Sequence, residues 1–182
     1  MYAGGYELAG GTRFWHPPSV FDGRGTLGAY PGGTPNTWAL ASDHPETLGY
    51  WADFERMAKE QPNVSAVWYQ VCMVAKDVPG DALANARRIV SILRARFPDA
   101  TLYVSPMTGY VTSPPFVGDG AERSVALASQ LVADGATAGP VLPKLEPDEL
   151  LPDATHENVA GMWRMGRALL RFFGQTADEQ GE

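Results

Sequence analysis

The chain has 182 residues, which is enough for one domain with a sizeable core, and we read 1–182 as a single domain. Its formal charge of −7 argues against nucleic acid or an anionic membrane as the main partner, and no apolar run approaches the roughly 20 residues of a membrane span. A single cysteine, Cys72, excludes an intrachain disulfide and a cysteine-based metal cluster. No basic segment followed by an apolar run opens the chain, so a signal peptide is not expected and cytoplasmic residence is.

Met1 to Gly4 reads as the stub of a first strand, followed by Gly4-Gly5-Tyr6-Glu7-Leu8-Ala9-Gly10. Arg13 to Gly33 is rich in loop formers, with Phe14, Trp15 and His16 set ahead of two prolines. Gly23 to Gly28 satisfies G-x-G-x-x-G, but Pro31 and Pro35 follow where a dinucleotide fingerprint needs a helix, so the match is discarded. Leu27 to Tyr30 is a candidate second strand, and Pro31 to Thr37 reads as a glycine–proline loop behind it. Asp43-His44-Pro45-Glu46 has the pattern of a helix start, which makes His44 a cap-region residue rather than a metal ligand. That helix is expected to run to about Lys59 with Trp51, Phe54 and Ala58 on its apolar side.

Val64 to Val74 is apolar and β-branched or aromatic, the composition of a strand buried on both faces. Asp81 to Phe97 repeats Leu83, Ala86, Val90 and Leu93 at helical spacing. Thr101 to Ser105 is a strand that Pro106 stops, and Tyr110 to Gly120 is a loop fit to form a rim. Ala121 to Ala133 is a helix on the spacing of Val125, Ala128 and Val132, and Gly139 to Leu142 is a short last strand. Alternating strands and helices with few hairpin signals predict an α/β parallel sheet with helices on both faces, whose strand ends meet a shared crevice. Ser105 falls at such an end and is a candidate for substrate contact.

The stretch from Leu151 to Phe173 carries the chemistry. Asp153 and His156 stand three residues apart at the mouth of an amphipathic helix, with Met162, Met165, Leu169 and Phe172 facing inward and Arg164, Arg167 and Arg171 outward. A carboxylate in that position can hold one ring nitrogen and stabilise the imidazolium. On the spacing alone, a capping Asp and a surface His is the simpler account. The ten residues Pro152 to Gly161, however, resemble the last block of the SGNH (GDSL) hydrolases, D-x-x-H-P-N-x-x-G. Asp153, His156, Asn158 and Gly161 stand at its Asp, His, Asn and Gly, and Glu157 replaces the Pro.

The resemblance implies a flavodoxin-like three-layer sandwich with a central parallel sheet of about five strands. It implies hydrolysis of an ester or related acyl bond of a small molecule, without a cofactor or metal. The earlier blocks match mainly in glycines and position. At the family's nucleophile, Tyr6 replaces Ser. A phenol with a pKa near 10 is a weak nucleophile, and a packing role for Tyr6 is at least as good a reading. Gly33, or Gly32 in the other register, stands at the backbone oxyanion donor. Cys72 and Val74 stand at the Gly and Asn of the third block, so the Asn donor is missing, a loss worth ~10²–10³ in rate. Gln70 is a partial substitute or a loop-binding residue, and Cys72 is a thiol nucleophile or an inert small hydrophobe. Three functions follow: an atypical hydrolase with His156 as base, an inactive relative that binds through the old cleft, or non-hydrolytic acid–base chemistry by Tyr6 and His156.

Overall fold

The computed structural model describes residues 33–43, 50–60 and 64–173. Within them the chain is mixed α/β. Helices α1 (Pro35–Asp43) and α2 (Tyr50–Glu60) precede strand β1 (Ala66–Val71), helix α3 (Pro79–Arg96), strand β2 (Thr101–Pro106), helix α4 (Gly120–Ala133), strand β3 (Thr137–Ala138), a 3₁₀ turn (Pro147–Glu149) and helix α5 (Val159–Phe172). The three strands are parallel in the order β1-β2-β3, with Trp68 beside Tyr103, Gln70 beside Ser105 and Tyr103 beside Thr137. The parallel sheet is as expected, and among the described residues it has three strands. The expected strands at Met1–Gly4 and Leu27–Tyr30 lie outside the described residues.

Both crossovers step to the next strand in the same direction, which puts α3 and α4 on one face of the sheet. Val71, Val104 and Leu102 from the strands join Ala86, Ile89, Leu93, Leu127 and Leu131 in one buried cluster there, and Phe54 and Phe97 meet edge to face at 5.9 Å beside it. Burying each large aliphatic side chain of this kind contributes about 1.5–3 kcal/mol. The opposite face is spanned by aromatics. Trp68 packs on the cluster of Leu142, Leu145, Met165, Leu169 and Leu170, and the Tyr103 ring stands edge-on to Phe172 and Phe173 at 5.7 and 5.5 Å.

Three expectations are corrected. Pro35 does not continue a turn but opens α1, where a proline at the first helical position loses nothing because that N–H has no intrahelical partner. Asp43 is the last residue of that helix, and the expected helix start at His44 to Glu46 lies outside the described residues. In α4 the inward stripe is Ala121, Ser124, Leu127, Ala128 and Leu131, while Val125 is exposed. The last strand is Thr137–Ala138 rather than Gly139–Leu142, although the backbone keeps beside β2 further on: Gly139 N–H donates to Val104 O at 2.8 Å and Leu145 N–H to Gly109 O at 2.9 Å. Gly139 is required there, since a Cβ would stand 2.4 Å from Ser105 Oγ.

Polar side chains fix the loop after β1. Arg123 of α4 donates to the carbonyls of Asp77 and Val74 at 2.6 and 2.8 Å. The buried Asp77 carboxylate accepts from Val74 N–H at 2.9 Å and from the Asn36 amide at 3.1 Å, and Asn36 in turn accepts from Asn85 at 2.9 Å. One strand-end loop is thus tied to α1, α3 and α4, and the crevice end of β1 is held rigid.

Candidate functional site

Residues 150–157 form a small hoop at the entrance to α5. Leu150 and Glu157 close it as an antiparallel bridge, Leu151 N–H donates to His156 O at 2.7 Å, and Ala154 N–H donates to Leu151 O at 2.9 Å. Asp153 folds back inside it. Its Oδ1 accepts from the backbone amides of Thr155 and His156, each at 2.9 Å, and its Oδ2 meets His156 Nδ1 at 2.6 Å. Ala154 adopts φ 55° to let the carboxylate turn onto the ring. A non-glycine residue costs about 1–2 kcal/mol in that left-handed region, so the hoop's other bonds hold it there.

Asp153 does not cap the helix. Asn158 does, with its Oδ1 accepting from Ala160 N–H at 2.9 Å and Gly161 N–H at 3.2 Å while its amide donates to Asp148 O at 2.6 Å. Asp153 is therefore not spent on the helix start and serves the hoop, one oxygen taking two backbone amides and the other the imidazole. Partial burial opposes its ionisation, but the His156 amide, the His156 ring and the Thr155 amide outweigh that and hold its carboxyl down at about 2. A carboxylate at Nδ1 fixes the neutral ring as the tautomer with its lone pair on Nε2. The pair sits at the surface, with the His156 side chain 38% and the Asp153 side chain 48% exposed.

Behind the hoop lie groups from the strand ends. Tyr110 donates from its hydroxyl to Thr155 O at 2.9 Å and so pins the hoop to the segment after β2. Burial, followed by the charges of Glu157 and Asp153 among others, pushes the phenol well above its ordinary value. Cys72 continues β1 on the face of Trp68 and Gln70. Burial first, then the charges of Asp77 and Glu157, push its thiol up to about 11. It is almost wholly protonated at neutral pH, which is the state of an inert thiol rather than a nucleophile.

Of the residues singled out from the sequence, Asp153 and His156 meet, and Cys72 lies close enough to Glu157 at the hoop's base to feel its charge. Ser105 is fully buried and its hydroxyl accepts from Trp68 Nε1 at 2.9 Å. The candidate substrate contact is therefore corrected to an internal link between β1 and β2. Gly33 is exposed just ahead of α1, and among the described residues a Cβ there would meet only Trp38 Nε1 at 3.8 Å, an ordinary contact. Tyr6 and Gly32 lie outside the described residues. Arg164, expected to be solvated, is bound to Glu149 and to the Lys144 carbonyl.

Sequence reasoning passed over Glu157 and Tyr110. Glu157 is 3% exposed. Its signal was present, because it replaces a proline beside the imidazole, but a replacement alone carries no information on burial. Among the described residues no group of three or more His, Cys, Asp or Glu is arranged to hold a metal ion, and no helix is long and apolar enough to cross a membrane. Comparison with protein-family models, with curated proteins and with solved structures finds no match to this chain.

Proposed function

We propose that the chain is an atypical SGNH-like hydrolase that acts on an ester or related acyl bond of a small molecule, in a flavodoxin-like sandwich of which the three described strands are part. The observation that carries the reading is the 2.6 Å contact between Asp153 Oδ2 and His156 Nδ1 in a hoop built to hold it. His156 is the general base and takes its proton at Nε2, while Asp153 orients the ring and stabilises the imidazolium. With Cys72 protonated and Ser105 buried, the attacking group is water activated by His156; in the alternative, non-hydrolytic form of the chemistry Tyr6 and His156 act as acid and base. Neither a nucleic acid nor a membrane has a place in this reading, and the cytoplasm is its expected compartment.

The test is hydrolysis of a panel of 4-nitrophenyl acyl esters by the protein and by His156→Ala. Loss of a general base is expected to lower the rate by at least ~10²-fold. His156→Ala should leave the far-UV spectrum unchanged, because the ring belongs to an exposed hoop. Equal rates in the two proteins remove the hydrolase reading.

The second reading is an inactive relative that binds a ligand in the same crevice. It is favoured by the thiol of Cys72 at about 11, which leaves that candidate nucleophile unreactive. It expects no ester hydrolysis above buffer together with a rise in Tm on ligand binding.

A further inference from the structure

The Asp153–His156 pair faces solvent, and an ion pair so exposed contributes little by itself to holding a ring in one orientation. Steadier support reaches the hoop from beneath, through Tyr110. The backbone of Tyr110 forms a parallel bridge with Leu145. It lies between the bond that Leu145 N–H donates to Gly109 O and the one that Val111 N–H donates to Leu145 O, each at 2.9 Å. Its half-buried ring packs on the cluster of Leu142, Leu145, Met165, Leu169 and Leu170. The hydroxyl is thus fixed at its root by backbone bonds and along its length by packing, and it donates to Thr155 O at 2.9 Å.

The position of that acceptor matters. Thr155 O and the His156 N–H belong to one peptide unit, whose oxygen and nitrogen share a delocalised electron pair. A donor at the oxygen draws charge from the nitrogen and makes the N–H a stronger donor, as bonds in a chain polarise one another. The His156 N–H is one of the two amides that hold Asp153 Oδ1, at 2.9 Å, while Oδ2 meets His156 Nδ1 at 2.6 Å. A continuous path therefore runs from the Tyr110 hydroxyl through the Thr155–His156 peptide to the Asp153 carboxylate and the imidazole. The other amide on Oδ1, that of Thr155, belongs to the preceding peptide unit and lies outside this path.

We propose that Tyr110 is the positioning residue of the His156 base: its hydroxyl strengthens, through the shared peptide, the amide that clamps Asp153 Oδ1, and so fixes the carboxylate against the ring. Burial first, then the charge of Glu157, disfavours the phenolate, so the hydroxyl keeps its proton and the path keeps its direction. The inference rests on the proposed function for the role of His156 as a base, and the path is tested without it.

Tyr110→Phe keeps the ring, its packing and its ring current, and removes only the donor. The full-length ¹⁵N-labelled protein and the variant are compared at neutral pH by the backbone amide proton shifts of Thr155 and His156. Weaker donation moves an amide proton upfield. The His156 amide is expected to move upfield, while the Thr155 amide, relieved of a competitor for Oδ1, should hold or move downfield. Were Tyr110 only a peg beneath the hoop, loosening would carry both amides upfield together. The more acidic phenol of 3-fluorotyrosine in place of Tyr110 should move the His156 amide downfield, and it decides the matter if Tyr110→Phe does not fold.

Where an ester is hydrolysed, Tyr110→Phe should lower kcat about three- to tenfold, the rate equivalent of one hydrogen bond. KM should be unchanged, as expected of a group that acts on the base rather than on the substrate. The same substitution should add no further loss in His156→Ala. An unmoved His156 amide, a joint upfield movement of both amides, or an unchanged kcat overturns the proposal. The expected shifts without ester hydrolysis keep the path and remove the hydrolase. Hydrolysis that His156→Ala abolishes and Tyr110→Phe leaves intact does the reverse.

Discussion

Beneath α3 and α4 the sheet presents Val71, Leu102 and Val104 to Leu93, Leu127 and Leu131; beneath α5 it presents Trp68, Gln70, Tyr103 and Ser105, with Cys72, Glu157 and the Asp153–His156 hoop at the crevice end. Apart from the buried Tyr69 hydroxyl, the first face is hydrocarbon, so its contribution is chiefly area removed from water. The second mixes rings with hydroxyl, amide, thiol and carboxylate groups, and each of these must find a partner or cost stability. One set of strands therefore carries apolar packing on one side and polar groups among rings on the other. Substitutions on the two sides should fail in different ways.

The sharpest way to break that division is a cavity on the hydrocarbon side. Leu131 is 1% exposed among close-packed aliphatics, and Leu131→Ala should lower the unfolding free energy by about 2–5 kcal/mol. Urea unfolding measures the loss, and any activity per folded molecule should be unchanged. A variant that keeps its stability but alters ligand binding or turnover would show that the two faces are not independent.

A smaller effect is expected at the junction of the hoop with α5. Asn158 satisfies two first-turn amides and ties back to the Asp148 carbonyl. Asn158→Ala should cost about 0.5–2 kcal/mol, read as a lower Tm, and Asn158→Asp should recover most of it. A cap that also positions the hoop should lower turnover or binding as well, and an unchanged functional readout would reduce Asn158 to a helix start.

The sequence revealed what is local in the chain. Asp153 and His156 are three residues apart, and their contact closes through a turn of the backbone between them. The bodies of α3 and α5 were also evident, because their apolar residues recur at one helical period. In α4 that same period set the stripe to one side: Ala128 is buried as expected, but Val125 is exposed. Val125 and Val132 form as good a stripe as Leu127 and Leu131, and only packing on β2 decides between them. Pro35 was lost among Gly32, Gly33 and Thr34, where a helix start and a turn use the same residues. The buried, unpartnered Oε2 of Glu157 and Nε2 of Gln70 were beyond reach for a further reason: want of a partner is a property of the folded interior, and Gln70 lies far away in the chain on another element.

The smallest effect separates two sources of order within the hoop itself. Burial is the largest single influence and works against ionisation of Asp153, but it is outweighed by the opposing ones together, among which the His156 backbone amide comes ahead of the His156 ring, followed by the Thr155 amide. Its carboxyl is held at about 2, below the ordinary value near 3.9 of an unfolded chain. Because the folded value is the lower one, the ionised form adds stability above about pH 4, and that addition is lost as the pH falls toward 2. The effect is modest, since the side chain is 48% exposed and solvent screens it. Carboxyl-detected NMR titration of His156→Ala tests the order of influences. Removing the ring leaves both backbone amides in place, so the carboxyl should rise only part of the way to its ordinary value. A complete return would mean that the imidazole organises the hoop, and not the hoop the imidazole.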